Sequence, residues 1–225
     1  MTSAAQFFDN IPFSPDISLL KDDPFFHGDY TAPGVRHIWE KGLALLHPKA
    51  LLRPVEVLHD PSGRVSSIGG VRVSSILLDE NLKDCHRAFC YVATCGRELA
   101  ALSSTVDEER SALFSLRILA VHAALQHVMN HVKETYDIQK LAALNPGSLP
   151  QWPRTEQPKL FQILGNVEEA LGVTINDAFY LVPTESVSGL LYETDTEYRN
   201  CMICPREGCV GRQAPYDPQM AEKYK

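Results

Sequence analysis

Thirty consecutive residues, 107–136, contain neither proline nor glycine. Apolar side chains recur along this segment at helical spacing in two stripes, so most of the circumference of the helix is apolar. A helix of this kind is buried on most sides, which predicts a central helix within a packed core. The first stripe contains Leu113, Leu116, Ala120 and Ala124, and the second contains Val121, Leu125, Val128 and Val132.

The segments around this helix do not alternate regularly between strand and helix. Such an order favours an α+β fold with an antiparallel sheet over a doubly wound parallel sheet. Pro-Ser-Gly at 61–63 lies between β-branched flanks and predicts a hairpin turn. The predicted elements are a helix over 34–47, strands over 51–59 and 64–68, a short helix capped by Ser74 or Ser75 and running through Leu82, a strand over 85–94, a helix from Arg97, a helix from Glu156 to Leu171, and paired strands over 178–182 and 187–192.

Turn-forming residues separate two terminal segments from this core. Residues 1–33 hold five prolines or glycines among short apolar pairs, which predicts an irregular arm lying over the core. Residues 34–192 carry the periodic segments and form one predicted core domain. Residues 193–225 are polar, rich in turns and contain cysteine, so they are interpreted as a tail.

The charge balance excludes some classes of partner. The chain has 21 Lys and Arg against 28 Asp and Glu, a formal charge of −7, so it has no long-range positive field for nucleic acid or anionic lipid. No apolar run approaches the roughly 18 to 20 residues that span a bilayer. The first thirteen residues lack the pattern of a signal peptide. We therefore expect a cytoplasmic protein that binds neither nucleic acid nor membranes.

Three cysteines in the tail have the spacing of metal ligands. Cys201, Cys204 and Cys209 lie in a segment with prolines, glycines and few apolar residues, where core packing does not explain them. Two cysteines separated by two residues can place both thiolates on one metal, and the third returns after a loop. The segment predicts an iron–sulfur cluster or a zinc site that needs a fourth ligand. The alternative is three exposed, reduced thiols on a mobile tail.

The other three cysteines follow one another at intervals of five residues. Residues five apart on a strand face opposite sides of the sheet. We therefore interpret Cys85 and Cys90 as small buried hydrophobic residues. Cys95 ends the predicted strand before Gly96, so it is the one that can reach a pocket or supply a fourth metal ligand.

The histidines of the long helix give a weaker metal signal. His127 and His131 are four residues apart and share one helix face, and His122 precedes them. The glutamate of the His-Glu-x-x-His zinc motif is absent, because Val128 occupies its position. These side chains are interpreted as partly buried helix histidines.

A set of short motifs resembles a known family. The final Ser-Val-Ser-Gly element, with its preceding proline, is the most specific of them. Together the motifs resemble the activation domain of cobalamin-dependent methionine synthase over roughly residues 35–192, which implies its helmet-like α+β fold. The motifs are Ala93-Thr94-Cys95-Gly96-x-Glu98, Pro146-Gly147, Trp152-Pro153, Thr155-Glu156, Leu160-Phe161, Leu164, Leu171-Gly172-Val173-Thr174 and Pro183-x-x-Ser186-Val187-Ser188-Gly189.

The chain departs from the family at the cofactor loop. The family's loop is Arg-x-x-x-Gly-Tyr, whose guanidinium holds the carboxylate of S-adenosylmethionine as a forked ion pair. When Gly147 is set on that glycine, Ala143 stands at the arginine position and Ser148 at the tyrosine position. The aromatic pair expected after Ser-Gly is Leu191-Tyr192, so only Tyr192 is retained. The sequence supports the fold and counts against S-adenosylmethionine as a cofactor.

The resemblance implies an accessory or reactivation factor for a corrinoid-dependent methyltransferase, methionine synthase or a similar enzyme. Such a factor acts on protein-bound cob(II)alamin by electron delivery or by reductive methylation, and a cluster in the tail would suit the first route. One alternative is a non-catalytic module that binds a corrinoid protein and carries structural zinc in its tail. Another is an enzyme that still binds S-adenosylmethionine, with a changed carboxylate clamp. We do not expect a complete methionine synthase.

The resemblance also implies where the corrinoid partner would dock. Loops 146–150 and 183–189 would form the pocket over the partner's cobalamin. The residues assigned to this pocket are Pro146, Gly147, Ser148, Ser186, Ser188, Gly189 and Tyr192.

Overall fold

The computed structural model describes residues 4–224 and contains a seven-stranded antiparallel sheet with helices on both faces. The strand order is β4-β3-β2-β5-β9-β6, with β1 also paired to β2, and β7 and β8 form a separate two-stranded sheet. The strands are β1 (Gln6–Phe8), β2 (Lys49–His59), β3 (Val65–Ile68), β4 (Val71–Arg72), β5 (Arg87–Thr94), β6 (Leu141–Leu144), β7 (Thr174–Ile175), β8 (Leu181–Val182) and β9 (Ser186–Glu193).

One helix is much longer than the others in residues 4–224. Short 3₁₀ turns at Ile17–Asp22 and Arg154–Glu156 accompany the helices. The helices are α1 (Pro33–Ala44), α2 (Ile76–Leu82), α3 (Arg97–Ala101), α4 (Asp107–Tyr136), α5 (Gln157–Leu164), α6 (Val167–Leu171), α7 (Asn200–Ile203) and α8 (Pro218–Glu222).

The prediction of a buried central helix is confirmed. α4 covers one face of the sheet, where Val128 and Val132 pack with Phe89, Tyr91 and Leu191. Further along, α4 packs against α1 in a second apolar cluster. By length and composition α4 would also be able to cross a membrane. The apolar side chains of α4 pack against the sheet and α1, so α4 is a buried core helix.

The opposite face of the sheet carries the largest apolar cluster. Alternate residues of the central strands, such as Cys90 and Leu190, point to this side. They pack against α2, α5 and α6. The α+β fold expected from the sequence is therefore observed, with the sheet between α4 and these shorter helices.

Some predicted elements differ from those observed. The helix expected over 156–171 is divided into α5 and α6, because Gly165 takes a positive φ of 74° and ends α5. The strands expected over 178–182 and 187–192 do not pair with each other: β8 pairs with β7, and β9 lies between β5 and β6. The strand expected over 85–94 would begin at Cys85, but this residue lies outside the observed strand, since β5 begins at Arg87.

Both terminal segments pack onto the core. In the predicted arm, β1 pairs with β2 and Leu20 is buried. In the predicted tail, Tyr198, Ile203 and Tyr224 join the apolar cluster around α2 and α5. The boundaries 1–33, 34–192 and 193–225 stay predictions, and residues 1–3 and 225 lie outside the described residues.

Candidate functional site

The two loops assigned to the pocket are joined by one asparagine. Asn145 follows β6, and its Nδ2 donates to Tyr91 Oη at 2.7 Å and to the Ser188 carbonyl oxygen at 2.8 Å. Its Oδ1 accepts from Asn200 Nδ2 at 3.4 Å. Both N–H groups of the amide are thus engaged. Asn145 connects the Pro146 loop, strand β9 and the cysteine-containing segment.

Gly189 is required for this arrangement. A Cβ at position 189 would lie 2.7 Å from Asn145 Nδ2 and 3.1 Å from Tyr91 Cε1, and would also collide with the Leu144 carbonyl oxygen. Glycine therefore permits the close approach of β6 and Asn145 to β9. The glycine of the Ser-Val-Ser-Gly motif thus has a structural explanation.

The two serines of the motif use their hydroxyl groups inside the protein. Ser188 is buried, and its Oγ donates to Gln157 Oε1 at the start of α5. Ser186 Oγ donates to the buried Thr94 Oγ1 at 2.9 Å. These bonds hold β9 to α5 and β5. The surface of the site is formed instead by neighbouring exposed residues, including Gly147 and Ser148, while Pro146 is buried.

Tyr192 lies apart from the other assigned residues. Ser186 begins β9 and Tyr192 is six residues further on, about 20 Å at the rise of an extended strand. Its Oη donates to Asn81 Oδ1 at 2.7 Å, in a groove of about 1050 Å³ that also includes Tyr198 and Tyr224. The structure therefore divides the predicted pocket residues between a loop surface and this strand-end groove.

Burial controls the ionisation of the groove tyrosines. It raises the pKa of Tyr192, Tyr198 and Tyr224 above the usual value of 10.0, and the neighbouring tyrosines act in the same direction on Tyr192. Their hydroxyl groups stay protonated at neutral pH and are available as hydrogen-bond donors.

The three cysteines around β5 are protonated thiols. Cys90 and Cys95 are fully buried, and burial raises the pKa of both, that of Cys95 to about 12. Cys85 is half-buried, with Sγ donating to the Glu193 carbonyl oxygen at 3.7 Å, and burial also raises its pKa. The interpretation of Cys90 as a buried packing residue is confirmed. Cys95 is equally buried and Cys85 only partly so.

The tail cysteines surround an arginine side chain. The Arg212 guanidinium donates to the carbonyl oxygens of Cys201 at 2.9 Å and of Cys204 at 3.1 Å. The Arg212 backbone N–H donates to the Cys209 carbonyl oxygen at 3.1 Å. Among residues 4–224 no group of three or more His, Cys, Asp or Glu side chains is placed to hold a metal ion. The loop is organised by hydrogen bonds to Arg212, and the metal assignment stays a prediction.

Two of the helix histidines pack against the N-terminal segment. The ring centroids of His127 and His131 lie 5.4 and 4.9 Å from that of Phe8 in edge-to-face contacts. His131 Nε2 also hydrogen-bonds Gln6 Oε1 at 3.0 Å. Both histidines are partly buried, as expected, whereas His122 is exposed.

Comparison with known proteins identifies the architecture. No protein-family model matches the chain, and no curated protein matches it. A crystal structure of the MetH reactivation domain bound to AdoHcy does match, with a TM-score of 0.56 over 87% of this chain and 80% of that chain. The fold is that of the MetH reactivation domain. Because the sequences are only 16% identical, the match establishes the fold alone.

The position assigned to the family's arginine carries an apolar residue in an apolar setting. Ala143 lies in β6 and, like Leu141 and Met129, packs against the apolar cluster under α4. Sequence reasoning missed a different arginine close to the loop. Arg154 lies against Gly147, where a Cβ would come within 3.3 Å of its Nε. Its position seven residues after Gly147 gave no periodic or motif signal.

Proposed function

We propose that this chain is an accessory or reactivation factor for a corrinoid-dependent methyltransferase, acting on protein-bound cob(II)alamin. The observation that supports the proposal is the likeness in fold to the MetH reactivation domain, which extends over 87% of the chain.

The local geometry supports a docking role for the loops. We call loops 146–150 and 183–189 the docking face. Asn145 and Gly189 hold these loops together from behind, through hydrogen bonds and close backbone packing. Several residues of the loops are exposed, including Gly147, Ser148 and Thr184. A rigid platform with an exposed outer surface is suited to binding a partner without a large ordering cost.

Two chemical routes can return cob(II)alamin to use. One-electron reduction gives cob(I)alamin. In reductive methylation this reduction is followed by a second step, in which cob(I)alamin takes a methyl group from S-adenosylmethionine. The products are methylcobalamin and S-adenosylhomocysteine. The MetH neighbour binds AdoHcy. In this chain Ala143 occupies the position of the family's arginine and packs against an apolar cluster. The carboxylate of S-adenosylmethionine or AdoHcy would therefore lack the forked ion pair with a guanidinium at this position.

We also propose metal binding by the tail cysteines. The ligands of an iron–sulfur cluster or zinc would be Cys201, Cys204 and Cys209. The loop around Arg212 does not gather them into a metal site, so we assign no electron-transfer step to them. Metal analysis of anaerobically purified protein tests this role. Bound iron or zinc that is lost when all three are replaced by serine would support it, and unchanged metal content in that variant would exclude it.

The function is tested with the full chain and the cobalamin-binding fragment of a cobalamin-dependent methionine synthase in the cob(II)alamin state. The two proteins are mixed anaerobically with a low-potential chemical reductant, with and without S-adenosylmethionine. Visible absorbance then follows loss of cob(II)alamin and formation of methylcobalamin.

Faster loss of cob(II)alamin with the chain present supports a reactivation factor. Methylcobalamin that forms only with S-adenosylmethionine identifies the methylation route. Binding without acceleration favours the non-catalytic module. Absence of binding contradicts both the reactivation factor and the non-catalytic module. A Gly189→Ala variant serves as the control for docking-face geometry.

A further inference from the structure

An arginine lies beside the first loop of the docking face. Arg154 begins the 3₁₀ turn that follows the first loop, and its side chain lies against Gly147. Its guanidinium carbon lies 3.7 Å from the ring centroid of Tyr180, which precedes the second loop. Stacking on an aromatic face restricts the guanidinium to one plane. The charge of Arg154 is therefore held on Tyr180, next to the first loop.

The hydrogen-bond donors of this guanidinium are left unused by the described residues. Within residues 4–224, Arg154 donates no side-chain hydrogen bond and forms no ion pair. Other arginines use their side chains internally: Arg97 donates to the Gly172 carbonyl oxygen at 2.6 Å, and Arg117 lies 3.7 Å from Glu185. Arg154 thus presents a planar fork of N–H donors that no group of residues 4–224 engages.

The nearby carboxylate does not neutralise it. Glu156, two residues along the chain, is paired with Lys159 at 2.8 Å. A stacked guanidinium with free N–H groups suits an oxyanion, because carboxylates and phosphates accept two parallel hydrogen bonds from the fork. Since it is held on Tyr180 beforehand, little side-chain entropy is lost on binding.

We propose that Arg154 is the oxyanion-binding residue of the docking face and receives a carboxylate or phosphate presented by the corrinoid-bearing partner. This inference rests on the proposed function and adds a specific contact to it. Two sources offer the required chemistry: an acidic side chain of the partner protein, and the phosphodiester in the nucleotide tail of cobalamin. Tyr180 and Gly147 act as positioning residues, the first by stacking and the second by leaving room for the side chain.

The test measures the affinity of the full chain for the cobalamin-loaded fragment by calorimetry at low ionic strength. Arg154→Gln removes the charge, and Arg154→Lys keeps the charge without the planar fork. Arg87→Gln is the matched control, because Arg87 also stacks on an aromatic ring, with its guanidinium carbon 4.6 Å from the Tyr136 centroid, but begins β5 at the strand-end groove.

We expect Arg154→Gln to weaken binding by about 10- to 100-fold, the usual effect of losing hydrogen bonds to a charged group. Arg154→Lys should recover only part of this, and Arg87→Gln should bind like wild type. Circular dichroism confirms that each variant is folded. Equal affinity of Arg154→Gln and wild type would overturn the inference and leave the proposed function intact, whereas absence of binding by wild type would overturn both.

A second arm identifies the source of the oxyanion. The partner fragment is loaded with cobinamide, which lacks the nucleotide phosphate. If the effect of Arg154→Gln disappears with cobinamide, the phosphate is the ligand. If the effect persists, a carboxylate of the partner protein is the ligand. Both results support the role of Arg154.

Discussion

Replacing Gly189 with alanine tests the physical basis of the docking face. The new Cβ would lie 2.7 Å from Asn145 Nδ2 and would also meet the Leu144 carbonyl oxygen. The side chain of Asn145 must then move, and its hydrogen bonds to Tyr91 and Ser188 are lost or stretched. We expect the overpacking and the lost hydrogen bonds to lower the free energy of unfolding by about 2–4 kcal/mol.

Urea unfolding followed by circular dichroism measures this change. Gly211→Ala is the matched control, because its Cβ would only make an ordinary contact of 3.5 Å with Phe25 and its φ requires no glycine. A surface change of this kind alters stability by about 0.5 kcal/mol or less. If Gly189→Ala is as stable as Gly211→Ala, the argument that glycine is required beside Asn145 is wrong.

Two further predictions concern the cysteines and the tyrosines. A thiol reagent added to the native, metal-free protein should leave Cys90 and Cys95 unmodified, because both are fully buried with raised pKa values. The partly exposed Cys201, Cys204 and Cys209 should react under the same conditions. Mass spectrometry after digestion locates the labels, and labelling of Cys90 before unfolding would contradict the burial argument. Stability should fall as pH rises above about 10, because unfolded tyrosines ionise there while the folded pKa of Tyr192, Tyr198 and Tyr224 lies higher. Urea midpoints between pH 8 and pH 11 measure the decline, which Tyr192→Phe should reduce; a decline of the same slope in that variant would show that Tyr192 does not contribute.

The elements that sequence analysis predicted well depend on local patterns. α4 follows from thirty residues without proline or glycine and from its apolar stripes. The hairpin of β2 and β3 follows from its turn residues, Pro61 to Gly63. In both cases the signal lies within the element itself, so periodicity and turn chemistry are sufficient.

The missed features depend on contacts between distant parts of the chain. The pairing partners of β9 are β5 and β6, which alternation along β9 does not reveal. The Ser-Val-Ser-Gly motif located the candidate site, but the roles of its residues depend on Asn145 and Gln157 from other elements. The stacking of Arg154 on Tyr180 likewise has no sequence signal.

The cysteine spacing illustrates the same limit for metal sites. The spacing of the cysteines indicates only that their thiolates are able to reach one metal ion. Whether they do so depends on how the loop folds. In residues 4–224 the backbone of this loop wraps the Arg212 guanidinium instead.

The central proposal is that this chain acts on a corrinoid bound to another protein. The most direct measurement is the rate of cob(II)alamin loss in the cobalamin-binding fragment, followed anaerobically by visible absorbance with a chemical reductant, with and without the full chain. We predict a faster rate that saturates with the concentration of the chain and falls in the Gly189→Ala variant. An unchanged rate, together with no detectable binding to the fragment, would contradict it.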